Sequence, residues 1–129
     1  MRIRKTFLAF GLIGLAYLTL TNCQGEQAIK KAQYHTNGYQ LYVQHCQNCH
    51  GTKGEGLGTL YPPLTDSDYL MENRKELPAI VQYGTSEMPP NPQLSTIEIA
   101  YILTYITNAF GNDLGIYDLQ EVQTHLGRN

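Results

Sequence analysis

Cys46-Gln47-Asn48-Cys49-His50 is the stretch on which the reading of this chain turns. Two cysteines separated by two residues put both thiols on one side of a helix end, and the adjacent histidine projects from the same turn. A thioredoxin-like pair would lie in a βαβ pattern, which does not surround this motif, and would leave His50 unexplained. A tetrahedral zinc site needs four ligands, whereas the rest of the chain offers only scattered His35, His45 and His125. A disulfide across two residues is the plainest alternative in an exported protein. The spacing is that of covalent haem attachment, in which Cys46 and Cys49 each add to a vinyl group of one porphyrin and His50 ligates its iron.

Outward from the motif, the chain falls into short pieces that need such a centre. Residues 38–46 place Tyr39, Tyr42, Val43 and Cys46 at helical spacing, a face that delivers the thiols. Gly51, Gly54, Gly56 and Gly58 then make a flexible loop that leads into Tyr61-Pro62-Pro63-Leu64. A helical turn is predicted at residues 66–71 and a second helix at 76–83, with Pro78 in its first turn and Gly84 at its end. Ser95-x-x-Glu98 is a capping box opening the best helix in the chain, residues 96–110, which Gly111 terminates. A last helix is predicted from Leu119 to about Leu126, with Asp118 and Glu121 as its cap pair and Leu119, Val122 and Leu126 facing inward.

Composition bounds the rest. The chain has 129 residues, of which 16% are charged, and a formal net charge of −2. That is one small domain, too short for a doubly wound nucleotide-binding enzyme, and no run of Lys and Arg offers a footprint for nucleic acid. With 12 Gly and 6 Pro it can bury only a modest core, which a covalently held porphyrin would complete.

The N-terminus is a different object. Arg2, Arg4 and Lys5 precede a mostly apolar run of 14 residues from Phe7 to Leu20, and no acidic residue occurs before Glu26. The run is shorter than the roughly 17–25 residues that a spanning helix needs, so residues 1–22 read as a signal peptide. Leu20-Thr21-Asn22-Cys23 resembles a bacterial lipoprotein box, which would make Cys23 the acylated first residue of the mature chain. The cysteine count agrees, because Cys46 and Cys49 are otherwise employed and Cys23 is left over. Acyl chains contribute about 0.8 kcal/mol per buried methylene and would hold the protein on a membrane without a spanning segment. Residues 23–36 read as a flexible linker from Cys23 and residues 37–129 as the haem domain. The mature chain would keep six basic against eleven acidic residues, a formal charge of −5.

A six-coordinate iron takes a second ligand from the far side of the ring, and Met71, Met88, His35, His45 and His125 are the candidates. Met88 is preferred, because it stands in Gly84-Thr85-Ser86-Glu87-Met88-Pro89-Pro90, where Pro89 keeps it out of the α region. Met71, after Tyr69 and Leu70, reads as core filler, and His125 as a solvated surface residue.

The ordered set Gly38-x-x-x-Tyr42-Val43-x-x-Cys46-x-x-Cys49-His50-Gly51, Pro62-x-Leu64, Gly84-x-x-x-Met88-Pro89 and the helix through residues 99–106 resembles the class I c-type cytochromes. The resemblance implies an all-α cytochrome c fold of three to five short helices around one covalent haem c, here with an extra short C-terminal helix. It implies Cys46 and Cys49 as thioether anchors, His50 and Met88 as iron ligands, and Pro62 and Leu64 at the haem, the Pro62 carbonyl accepting the His50 ring N–H. It also implies that Gly38 and Tyr42 pack across the last long helix near Ile102 and Tyr105. The function expected is one-electron transfer, not catalysis, in a bacterial respiratory chain, lipid-anchored at the periplasmic face of a membrane. Redox proteins such as a respiratory complex or a terminal oxidase or reductase would be the partners, with neither nucleic acid nor a small-molecule substrate. A fixed haem subunit of a larger complex is the alternative, with the segment beyond Gly111 as its interface. A sensor or peroxidase would follow if Met88 did not ligate. Replacing Cys23 by Ser is expected to release the haem protein into the soluble periplasmic fraction, whereas retention in membranes would point to an uncleaved anchor.

Overall fold

The computed structural model of the protein describes residues 25–128. The signal segment 1–22 and Cys23 therefore lie outside the described residues. The chain divides into two compact units, residues 1–30 and 31–129. Of the first, residues 25–30 are described and are helical.

The second unit begins on helical backbone over residues 31–45, α1, where a flexible linker through residue 36 was expected. The linker reading fails because the contacts of this stretch are aromatic and give no aliphatic period. The Tyr34 ring stands edge-on to Tyr101 at 4.8 Å, and His35 lies 5.0 Å from the Tyr105 ring. Residues 31–36 thus belong to the domain, and their backbone advances about 1.5 Å per residue in place of about 3.3 Å for an extended chain.

Five further helices follow among the described residues: α2 Gln47–His50, α3 Ser67–Glu72, α4 Leu77–Tyr83, α5 Thr96–Ile106 and α6 Leu119–His125. The described residues contain no strand, only an isolated bridge between Leu57 and Tyr61. The fold is the expected all-α one. Asp66 caps α3 by accepting from the Tyr69 amide at 3.0 Å, and Asp118 caps α6 by accepting from the Glu121 amide at 2.9 Å. The Glu98 carboxylate accepts from both the backbone N–H and the hydroxyl of Ser95 at the start of α5. These bonds hold its carboxyl below the usual carboxylate range.

α5 stops at Ile106, short of the expected residue 110. The Thr107 hydroxyl donates back to the Leu103 carbonyl at 2.7 Å and Asn108 Nδ2 donates to the Thr104 carbonyl at 2.8 Å, so side chains take over the last turn. Much of the core lies on this helix. Ile99, Ala100, Ile102, Leu103, Thr104, Tyr105 and Ile106 are all buried, and α4 and α6 both lie against it. α1 crosses it at Gly38, where an added Cβ would run into the Tyr101 carbonyl and approach the Tyr105 Cβ at 2.7 Å.

The C-terminal segment is fastened inward. Tyr117 and Val122 are fully buried, and Thr104 Oγ1 bonds both the N–H and the carbonyl of Tyr117. Arg74 donates to both carboxylate oxygens of Glu121, at 2.6 and 2.9 Å, and to the carbonyls of Leu114 and Ile116, with its guanidinium over the Tyr117 ring. Tyr117 and Val122 of the segment beyond Gly111 thus serve the domain's own core. His125 is only partly exposed and is held from inside the domain, its Nδ1 lying 2.6 Å from the Tyr117 hydroxyl. Met71, read as core filler, is 48% exposed because α3 turns Leu70 inward in its place. Substituting Gly38 by Ala should force α1 away from α5 and lower stability by about 1–3 kcal/mol, the usual cost of overpacking, read as a fall in the thermal midpoint.

Candidate haem site

α1 carries the attachment motif on its end. The Cys46 amide donates to the Tyr42 carbonyl and the His50 amide to the Cys46 carbonyl, both at 2.9 Å, so helical bonding runs through the break between α1 and α2. Cys46, Cys49 and His50 thereby share one turn, each partly buried, and no disulfide joins the two cysteines. Burial pushes the Cys46 thiol up to about 11, with Cys49 adding to the effect.

His50 is held from the other side of its ring. Its Nδ1 lies 3.1 Å from the Pro62 carbonyl oxygen. A carbonyl only accepts, so Nδ1 carries the proton and Nε2 is left with a lone pair. Burial lowers the pKa of His50, against the opposing pull of the Pro62 bond, and favours the neutral ring that a metal requires. Pro63, adjacent and equally rigid, is not the partner.

The loop that brings Pro62 back to His50 is short and tightly hydrogen-bonded. The Gly56 amide donates to the His50 carbonyl at 2.9 Å, Leu57 to Tyr61 at 2.8 Å, and Leu64 to Gly54 at 2.7 Å. Gly56 sits at φ 64°, and a Cβ there would strike the backbone of Tyr61 and Pro62. Only glycine lets the loop close this far. Tyr42 supports the turn from beneath, its buried hydroxyl donating to the Gly51 carbonyl at 2.6 Å.

Met88 stands on a separate loop that α4 controls. Its amide donates to Thr85 Oγ1 at 3.0 Å and its carbonyl accepts from the Thr85 amide at 2.8 Å. Gly84, at φ 72°, lies against the Met88 carbonyl and the Pro90 nitrogen, and Asn91 Nδ2 ties the far end of the loop to the Val81 carbonyl at 3.0 Å. Of the competing ligands, His35 is packed on Tyr105 and His125 is bonded to Tyr117, while His45 is exposed. The structure thus brings Cys46, Cys49, His50, Pro62 and Leu64 together, and holds Met88 on its own anchored loop.

The donor set fits a haem. It offers two thiols on one turn and an oriented neutral imidazole. Leu57 and Leu60, in the loop that closes on His50, are 63% and 51% exposed, apolar surface that a porphyrin would cover. Among the described residues no group of three or more His, Cys, Asp or Glu could by itself hold a metal ion.

Fold and site together define a monohaem c-type cytochrome, with haem c bound covalently through the CxxCH motif. Residues 33–106 match the family described as cytochrome c oxidase, cbb3-type, subunit III, and the chain belongs to that family. A 57-residue stretch is also 46% identical to the dehydrogenase subunit of the quinone alcohol dehydrogenase of Acetobacter aceti. The match takes in 40% of this chain but 8% of that much longer protein.

Two parts of the site were not legible in the motif. Tyr42 has the spacing of a packing residue, and its hydroxyl contact depends on how Gly51 turns. Asn112, whose Nδ2 reaches the Leu64 carbonyl at 2.9 Å, lies 48 positions away in sequence and carries no local signal. Replacing Tyr42 by Phe should cost about 1 kcal/mol by removing one hydrogen bond, measured by denaturant unfolding of the holoprotein.

Proposed function

We propose that the protein is a one-electron carrier of a bacterial respiratory chain, with its haem iron ligated by His50 and Met88. The bound haem supplies the Fe(II)/Fe(III) couple. Cys46 and Cys49 would hold the haem covalently, His50 would ligate its iron through Nε2, and Met88 would offer a thioether from a loop that Thr85, Gly84 and Asn91 hold in one shape. The observation that carries the reading is the His50 Nδ1 to Pro62 carbonyl contact at 3.1 Å, which orients the imidazole for ligation. A second strong-field ligand would fill the remaining axial position and leave no site for substrate, which suits transfer and not turnover.

Tethering belongs to the same proposal. The basic start, the apolar run and Cys23 support export and acylation, and none of the helices among the described residues is long and apolar enough to cross a membrane. A lipid on Cys23 would place the domain at the periplasmic face of a bacterial membrane. The partners would be redox proteins that bind it briefly, a respiratory complex or terminal oxidase among them, as the family's name suggests. A second reading, a fixed haem subunit of a larger enzyme, is favoured by the similarity to part of a dehydrogenase subunit. Purification from the native membrane separates the two: a stoichiometric companion supports the second, and an uncomplexed haem protein the first.

The axial pair is tested by absorption spectra of the matured protein, oxidised and reduced. One covalent haem with the weak long-wavelength methionine-to-ferric-iron band is expected. Met88→Ala should abolish the band, lower the reduction potential and admit carbon monoxide to the reduced iron. Met71→Ala, on an exposed face, should leave the spectrum alone and change stability by no more than about 0.5 kcal/mol. A Met88 variant with an unchanged potential and band would remove this residue from the iron and bring the sensor or peroxidase reading forward.

A further inference from the structure

The turn that ends α5 aims two residues at the loop that holds His50. Phe110 takes up a left-handed backbone, φ 59°, uncommon for a bulky side chain. Its ring lies over Gly54, where a Cβ would come within 2.5 Å of it, and 5.5 Å from the Tyr42 and Tyr105 rings. Two residues on, Asn112 is buried, and its Nδ2 donates to the Leu64 carbonyl at 2.9 Å and the Ile106 carbonyl at 2.8 Å. Gly54 and Leu64 are bonded to each other at the base of the loop, so Phe110 and Asn112 hold both of its feet. Pro62 and Pro63, each with φ locked by its ring, connect the Leu64 foot to the carbonyl that receives His50.

We propose that Asn112 is a positioning residue for His50, which it serves by fixing the Leu64 carbonyl and with it the Pro62 carbonyl against Nδ1. The inference rests on the reading of His50 as iron ligand given above. At 3.1 Å the His50 contact is near the long end of the range for N–H···O bonds, so a small displacement of Pro62 weakens it sharply. The hydrogen bond makes the imidazole a stronger donor, which favours the ferric state. Asn112 thereby holds the reduction potential down.

Asn112 also caps α5 through Ile106, and a purely structural role would end there. Asn108 supplies the control. Its Nδ2 caps α5 at Thr104 and bonds the Gly115 carbonyl, and its Oδ1 accepts from the Gly115 amide, with no bond to the His50 loop. Midpoint potentials and thermal midpoints would be measured on haem-loaded wild type, Asn112→Ala and Asn108→Ala. Both variants should lose stability, and Asn112→Ala alone should raise the potential. An Asn112→Ala potential equal to wild type, or an equal shift in Asn108→Ala, would overturn the proposal.

Should Asn112→Ala fail to mature, proton NMR of the reduced wild type decides. Slow exchange of the Asn112 side-chain amide protons together with the His50 ring N–H supports the clamp, and exchange at the solvent rate at either position refutes it. A wild type that lacks covalent haem would overturn the ligand reading, and the clamp with it. A normal wild-type spectrum with an unmoved Asn112→Ala potential defeats the clamp alone.

Discussion

The close crossing of α1 and α5 at Gly38 is the contact from which the rest of the molecule is built. With no side chain at residue 38, the backbone of α1 comes down onto the Tyr101 carbonyl, and the rings of His35, Tyr39 and Tyr42 gather about Tyr105. That approach sets the height of α1 over the core, and so the place where its end delivers Cys46. It also brings the Tyr42 hydroxyl under Gly51, the first residue after His50. A larger residue at 38 would lift the attachment turn away from the helix that supports it.

From that turn the chain makes a loop with little core of its own. Between Gly51 and Asp66 the buried residue is Gly54, and the loop keeps its shape through backbone bonds to His50, Gly54 and Leu57. Such a segment contributes little hydrophobic stabilisation, and its order comes from neighbours: the Phe110 ring, the Asn112 amide and the covalent porphyrin. Holding the Pro62 carbonyl on a loop secured from outside separates two demands. The helices keep the domain folded, while the loop sets the environment of the imidazole.

Features that announce themselves over four or five residues were legible in the sequence. Asp66, Ser95 with Glu98, and Asp118 each predicted a helix start where one occurs, because a cap is a local hydrogen bond. Helix ends and the fate of single residues were harder. Gly111 suggested that α5 runs to residue 110, but Thr107 and Asn108 bend back on it first, a competition between side chain and backbone that pattern does not reveal. The stretch before Gly38 looked like linker because its packing residues are Tyr34 and His35. Met71 and His125 were exchanged in character, one assigned to the core and exposed, the other assigned to solvent and held by Tyr117, since each depends on which way a helix of six or seven residues is rolled.

The separation along the chain of the groups that meet at Gly38 bears on the order of assembly. Residue 101 lies far beyond residue 38 in the chain, Asp113 follows Lys31 by 82 positions, and Asn112 follows Leu64 by 48. A polypeptide growing from its N-terminus would expose Cys46 and Cys49 well before α5 exists to receive α1. Loop closure over such distances is entropically slow, so both thiols would remain accessible for an interval in a chain not yet collapsed. The topology thereby allows the porphyrin to be joined to an open chain, and the helices to close around it afterwards.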